Sequence, residues 1–291
     1  MGGSAEPSRQ HALKTAVKQT MTGIGHLTWR ARMIPSFLLI GAQRCGTTTL
    51  HLALKSHPQV VLHPLHKGVN YFDVDYERGP EWYRSHFPIT AYARARAFGA
   101  HGAPITGESS GYYMFHPLAA ERIALDLPGI KLIALVRDPV ERAYSAHRHE
   151  TARGFETEPF ERAIDLEPQR LAGEVERMRD DPSYESFSHR HHAYVTRGRY
   201  AEQLSLVTKH CGHDNLLVLD ADAFFAQPKE HYGRVLSFLG LRSHKRVPLT
   251  KTNAQPGAPM PESFRRRLAH QFEAQDEALV EFLGSTPSWR R

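Results

Sequence analysis

The sequence predicts an α/β fold of three layers, α/β/α, with helices on both faces of a central parallel sheet. Short, mainly apolar runs at 36–40, 130–136 and 216–219, interrupted only by Ser36 and Lys131 near their starts, read as strands buried on both faces. An amphipathic helical pattern follows each of them, and strands alternating with helices in one chain pair in parallel. A third observation is punctuation, with glycine, proline or a capping residue at the first two strand-to-helix junctions. A chain of 291 residues with 41% apolar content is long enough for a sizeable core. It reads as one domain over 34–291 preceded by a basic arm over 1–33.

In the arm, Leu13, Val17, Met21 and Ile24 would form one thin apolar stripe on a helix, interrupted by Gly23 and Gly25, so the arm is expected to dock loosely. The run Ser36-Phe-Leu-Leu-Ile40 is the first strand and ends at Gly41. After the loop 41–49, Leu50, Leu52, Ala53 and Leu54 predict a helix that stops before His57-Pro58. A strand is expected from Pro104 to Glu108. The run Ile130-Lys-Leu-Ile-Ala-Leu-Val136 is the next strand. Asp138 is placed to cap the helix that follows, Pro139 suits its first turn, and Glu141 stands three residues after the cap as in a capping box. Residues 150–190, rich in Glu, Arg and Asp, read as an inserted helical lid. Leu216 to Leu219 form a further strand, with Tyr232, Leu236 and Leu239 on the helix after it. Val247 to Pro261 read as a surface loop, and Phe264, Leu268, Phe272, Leu279 and Phe282 mark the last helix.

Composition excludes several classes. No apolar run approaches the roughly 18 residues of a membrane span, and the first thirty residues lack the apolar block of a secretory signal. The two cysteines, Cys45 and Cys211, make neither a disulfide scaffold nor a four-cysteine zinc site, which suits a reducing compartment. With arginine in excess over lysine, the expectation is a bacterial cytoplasm. Lys and Arg total 37 against 31 acidic residues, and 19 histidines add partial charge, so anionic ligands are favoured. The charge is spread along the chain rather than gathered in a stripe, which argues against nucleic acid.

The loop Gly41-Ala-Gln-Arg-Cys-Gly46-Thr-Thr-Thr49 has the glycine spacing of a phosphate-binding P-loop, in which backbone N–H groups and the helix N-terminus hold an anion. Thr47 stands where a Walker A loop has its lysine, which weakens the case for ATP hydrolysis. Arg44 is a cation inside the loop, and Thr47, Thr48 and Thr49 add hydroxyl donors. The same glycines also serve a tight turn with no ligand. Arg137, at the carboxyl end of a buried strand, and Ser145, two helical turns later, form a candidate second anion grip; the alternative is that Arg137 only pairs with Glu141 or Asp138.

Gly-Ala-Gln-Arg-Cys-Gly-Thr-Thr-Thr-Leu at 41–50 resembles the 5′-phosphosulfate loop of sulfotransferases that use 3′-phosphoadenosine 5′-phosphosulfate (PAPS). Leu135-Val-Arg-Asp-Pro-Val-Glu-Arg-Ala-Tyr-Ser145 resembles their 3′-phosphate motif. The likeness extends over roughly 35–285, most closely to bacterial enzymes and the sulfotransferase domains that modify heparan sulfate. It implies a P-loop NTPase-like sulfotransferase fold, with Gln43, Arg44, Cys45, Gly46, Thr47, Thr48 and Thr49 on the 5′ side of the donor and Arg137 and Ser145 on the 3′-phosphate. Gly198-Arg-Tyr200-Ala-Glu-Gln-Leu is similar to a segment near the adenine, which implicates Gly198 and Tyr200. Glu108-Ser-Ser-Gly-Tyr-Tyr113 resembles the strand lining the acceptor pocket.

The implied reaction is in-line sulfuryl transfer from PAPS to a hydroxyl or amine of a carbohydrate or small natural product, without a metal. Arg44 occupies the place of the family's loop lysine, and Lys67 is expected to stabilise charge on the sulfate. Heparan-type enzymes carry a Lys-Glu dipeptide before an aromatic pair, whereas this chain reads His66-Lys67-Gly68-Val69-Asn70-Tyr71-Phe72-Asp73, with Gly68 in the place of Glu and Asn70 in the place of His. The base is therefore Glu108, His66 or an acceptor already acidic, with Glu108 ranked first for its place at a strand end; the alternative for Glu108 is to orient a lysine or arginine. His189, His191 and His192 read as a polar loop beside the pocket rather than a zinc site, and Cys45 as packing. Trp82, Tyr83 and Phe87 are either an acceptor cover or core. Competing readings are a P-loop nucleotide kinase and a non-catalytic binder of adenosine 3′,5′-bisphosphate. Oligomeric state is not legible.

Overall fold

The protein is described by a computed structural model covering residues 25–63, 67–100, 102–243 and 260–291. The apolar stripe of the arm, His66 and nearly all of the 247–261 loop lie outside the described residues. Four strands, β1 (Phe37–Gly41), β2 (Gly107–Ser109), β3 (Lys131–Val136) and β4 (Leu216–Asp220), form one parallel sheet in the order β2-β1-β3-β4. In chain order the helices are α1 (Thr47–Lys55), α2 (Gly79–Arg84), α3 (Thr90–Arg96), α4 (Ala119–Asp126), α5 (Pro139–Ala152) and α6 (Phe160–Leu171). They continue with α7 (Glu174–Asp180), α8 (Phe187–His191), α9 (Tyr200–Cys211), α10 (Ala221–Ala226), α11 (Pro228–Phe238) and α12 (Glu262–Leu283). None of the described helices is long and apolar enough to cross a membrane.

The two central strands, β1 and β3, are buried along nearly their whole length, which requires cover on both faces of the sheet. Their register sets Leu38 beside Leu132, and Leu132 beside Leu216 on β4. The strand expected from Pro104 is shorter and later. Ile105 pairs its backbone with 59–61 instead (Val61 N–H donates to Ile105 O, 2.9 Å), so only 107–109 join β1.

Helix α5 starts as its sequence signals say. Asp138 caps it by accepting from the Val140 N–H at 2.9 Å, and Pro139 fills its first position. The reciprocal arm of the expected capping box is replaced, because the Glu141 carboxylate pairs with Arg265 of α12 and lies 3.7 Å from Arg137. The expected 150–190 insertion carries three helices, α6 to α8, joined by turns, and a second apolar cluster fixes the first of them. In that cluster Phe160, Ala163 and Ile164 of α6 pack with Val140, Ala143 and Ala146 of α5 and with Phe264, Leu268 and Phe272 of α12. The carboxyl ends of all four strands thus open toward one edge, where 42–46, 110–113, 137–138 and α10 meet.

Candidate active site

The loop after β1 is held to the sheet by the Ala42 N–H, which donates to Leu135 O at 2.7 Å. Gly46 precedes α1 at φ 88°, a conformation that a side chain resists, and a Cβ there would stand 2.8 Å from the Phe225 ring. Helix α1 carries no side-chain cap, so its N-terminus opens onto a cavity of about 550 Å³ lined by the loop and by α5, α8 and α10.

One hydrogen bond joins the two candidate anion grips: Arg44 Nε donates to Ser145 Oγ at 3.1 Å, across 101 residues of chain. Arg44 and Arg137 both line the cavity, and the Arg44 pKa is lowered, first by burial and then by Arg137. Arg137 also makes the Glu141 contact of the alternative reading, so pairing and a cavity position coexist in one side chain. Arg44 makes no ion pair with a carboxylate among the described residues, and a buried cation near a second cation favours an anion as its partner.

Lys67 enters from the segment after α1. Its Nζ donates to Thr47 Oγ1 and Thr48 Oγ1, each at 3.0 Å, so an ammonium stands beside the threonine that replaces the Walker lysine. Burial pushes this lysine down to about 8. The segment that carries it is pinned to the end of β2. Ser109 N–H donates to Lys67 O (2.8 Å), Val69 N–H to Glu108 Oε2 (2.6 Å) and Asn70 N–H to Ser110 Oγ (3.0 Å).

The expectation that Glu108 takes the acceptor's proton is corrected by this geometry. Its carboxylate is buried and does not line the cavity. It accepts from Val69 N–H, Ser110 Oγ (2.6 Å), Tyr113 Oη (2.7 Å) and Tyr83 Oη (3.1 Å), and burial raises its pKa. It orients the lysine-bearing segment through the backbone. A side chain at position 68 has no room either, since a Cβ on Gly68 would lie 2.5 Å from both Ser109 O and Ser110 Oγ.

Other expected site residues divide. Gln43, Arg44, Cys45, Gly46, Thr47, Thr48, Lys67, Arg137 and Ser145 are brought together at the cavity wall. Thr49 is not, because it faces the core one position further round α1. Gly198 and Tyr200 also stand behind the wall. A Cβ on Gly198 would meet the Phe272 ring at 2.8 Å, and buried Tyr200 donates to Arg137 O at 2.9 Å. Burial raises the Cys45 thiol to about 11, which suits packing. Trp82, Tyr83 and Phe87 belong to the core.

The histidines do not form a loop. His189 and His191 lie on α8 and His192 follows it, each with its own partner: Tyr112 Oη (2.6 Å), Glu150 Oε2 (2.9 Å) and Phe155 O (2.9 Å). No cluster of three or more metal-ligating side chains occurs among the described residues.

Sequence reasoning missed Arg148, Arg153, Arg190, Arg197 and Phe225, which also line the cavity, as does Tyr112 of the 108–113 segment. Part of this was legible: Glu141, Tyr144, Ser145 and Arg148 recur at the 3-and-4 spacing of one helix face, and all four line it. Arg190 and Arg197 carry no comparable signal, since a different helix and a turn bring them in.

Comparison with known proteins points to one family. A family model described as a sulfotransferase domain matches residues 35–255. The chain is 36% identical over 114 residues to the membrane-associated sulfotransferase kil1 of Dictyostelium discoideum, covering 39% of this chain and 22% of that protein. It is 25% identical over 288 residues to a bifunctional heparan sulfate N-deacetylase/N-sulfotransferase 1 of Caenorhabditis elegans, covering 89% and 31%. It is 27% identical over 212 residues to the human heparan sulfate glucosamine 3-O-sulfotransferase 3B1, covering 73% and 47%. The matches thus span less than half the length of these curated relatives. Among solved structures, a sulfotransferase from Alicyclobacillus acidocaldarius matches with a TM-score of 0.63 and 27% identity, over 89% of this chain and 100% of that one.

Proposed function

The chain belongs to the sulfotransferase family, and from that premise we propose that it transfers a sulfuryl group from PAPS to a hydroxyl or amine of a carbohydrate or small natural product. The observation that carries the reading is the Arg44–Ser145 hydrogen bond. It joins a 5′-phosphosulfate loop and a 3′-phosphate grip in the wall of one cavity, the span that a doubly phosphorylated nucleotide requires.

PAPS supplies the activated sulfuryl group, and adenosine 3′,5′-bisphosphate leaves. The residues present suit that donor: an uncapped helix N-terminus, the guanidiniums of Arg44 and Arg137, and the Phe225 ring beside Gly46. Arg44 stabilises charge on the oxygen that leaves, because its guanidinium keeps its proton at any working pH. Lys67, held beside Thr47 and Thr48, stabilises the transferring sulfuryl oxygens. For the acceptor's proton two routes remain, His66 and an acceptor that is itself acidic.

Calorimetry tests the donor reading: adenosine 3′,5′-bisphosphate binds, and loss of its 3′-phosphate weakens binding by about tenfold or more. Equal affinity for adenosine 5′-phosphate overturns it. Mass-shift assays that offer PAPS or ATP with Mg²⁺ over an acceptor panel separate the sulfotransferase from a kinase. Binding without any acceptor sulfated would favour a non-catalytic binder.

A further inference from the structure

Arg197 is almost completely buried, at 3% exposure, yet it makes no ion pair with a carboxylate among the described residues. Glu150 and Glu167 offset its charge without an ion pair, and a buried cation with no paired carboxylate is costly, so its retention asks for a reason. The guanidinium reaches two parts of the site at once. Nη1 donates to Gln43 Oε1 in the donor loop, and Nη2 donates to His189 O and Arg190 O, each at 2.9 Å, at the end of α8. It lies over the rings of Phe115 (4.7 Å) and Tyr112 (5.1 Å), and its Nε has no hydrogen-bond partner among the described residues.

The chemistry of the pair settles which way Gln43 faces. A guanidinium only donates, so the carboxamide must turn its oxygen to Arg197. Its NH₂ group is then left on the cavity side, where Gln43 forms part of the wall. Without Arg197 the carboxamide is free to turn either end to the ligand, and its oxygen would repel an anion.

We infer that Arg197 is a positioning residue: it fixes the Gln43 carboxamide so that the NH₂ group donates to an anionic oxygen of the donor, and it anchors the α8 end that carries Arg190 and His191. This rests on the donor reading above. The anion that Gln43 receives adds, at one remove, to the negative charge that Glu150 and Glu167 supply without an ion pair.

The test is a double-mutant cycle on the affinity for adenosine 3′,5′-bisphosphate, with Gln43→Met, Arg197→Met and both together. If Arg197 acts through Gln43, each single variant weakens binding by about tenfold, and the double variant is no weaker than the weaker single. Losses that multiply to about a hundredfold, or a Gln43→Met protein that binds like the wild type, overturn the inference. Circular dichroism and melting temperature confirm folding. Should Arg197→Met not fold, the cycle is run with Arg197→Lys, which keeps the charge but not the forked reach, and the same non-additivity is required. Failure of the wild type to bind the bisphosphate overturns the donor reading, and this inference with it; additive losses with wild-type binding intact overturn this inference alone.

Discussion

Lys67 shows how one residue trades folding for function. Burial brings its pKa from 10.5 down to about 8, so the unfolded chain holds the proton more tightly than the folded one. Between those values the unfolded state binds more protons, and stability rises with pH. The penalty is therefore in full force below pH 8 and fades toward pH 10.5. Lys67→Met should melt a few degrees higher than the wild type at pH 7, with the gap closing as pH rises through that window, while turnover falls by about a hundredfold. Differential scanning calorimetry across pH and a sulfation assay check the two halves; a lower melting temperature at pH 7 would count against the buried charge. Arg137→Ala and Arg44→Ala remove charge-assisted contacts, and each should weaken bisphosphate binding by about ten- to a hundredfold in calorimetry. The Arg44, Arg137 and Ser145 positions were legible because a strand, a turn and a helix place them locally. The state of Lys67 was not, since its burial comes from segments far away in the chain.

At the scale of elements, the 67–71 segment and the end of β2 behave as one unit. Glu108 ties them, with four donors on one buried carboxylate. Glu108→Ala strands those donors and should cost about 2–4 kcal/mol, measured by denaturant unfolding. In whatever activity a Glu108→Gln protein retains, the pH profile should keep its wild-type limbs, as expected of a positioning group; a lost acid-side limb would return Glu108 to the role of base. Gly68→Glu, which restores the residue that heparan-type relatives carry, should lower the melting temperature and add no activity, because a Cβ at 68 overlaps Ser109 O and Ser110 Oγ. A gain in turnover would show that the backbone yields there. The family resemblance sets Gly68 in the place of a glutamate. Only the neighbouring strand shows that the space for one is closed.

For the whole molecule, donor binding and stability are linked. A ligand that joins 41–49 to α5 binds only the folded chain, so bisphosphate at a hundred times its dissociation constant should stabilise by about 2.7 kcal/mol, read as a rise in melting temperature. The cavity wall carries Arg44, Lys67, Arg137, Arg148, Arg153, Arg190 and Arg197 against Glu141 and Asp222, so affinity should also fall as salt rises. A salt-independent constant would contradict an electrostatic grip. The sequence alone determined the three-layer fold, the glycine loop and the Arg137–Ser145 helix, because apolar periodicity, caps and turn residues act within a few residues of one another. It did not determine which carboxylate is sealed in the core, which lysine reaches Thr47, or that Arg197 meets Gln43 across 154 residues. Those are matters of burial and of contacts between distant segments. Both arise only when the sheet edge gathers loops from along the whole chain, and the charge and orientation of each side chain there depend on what it is buried against.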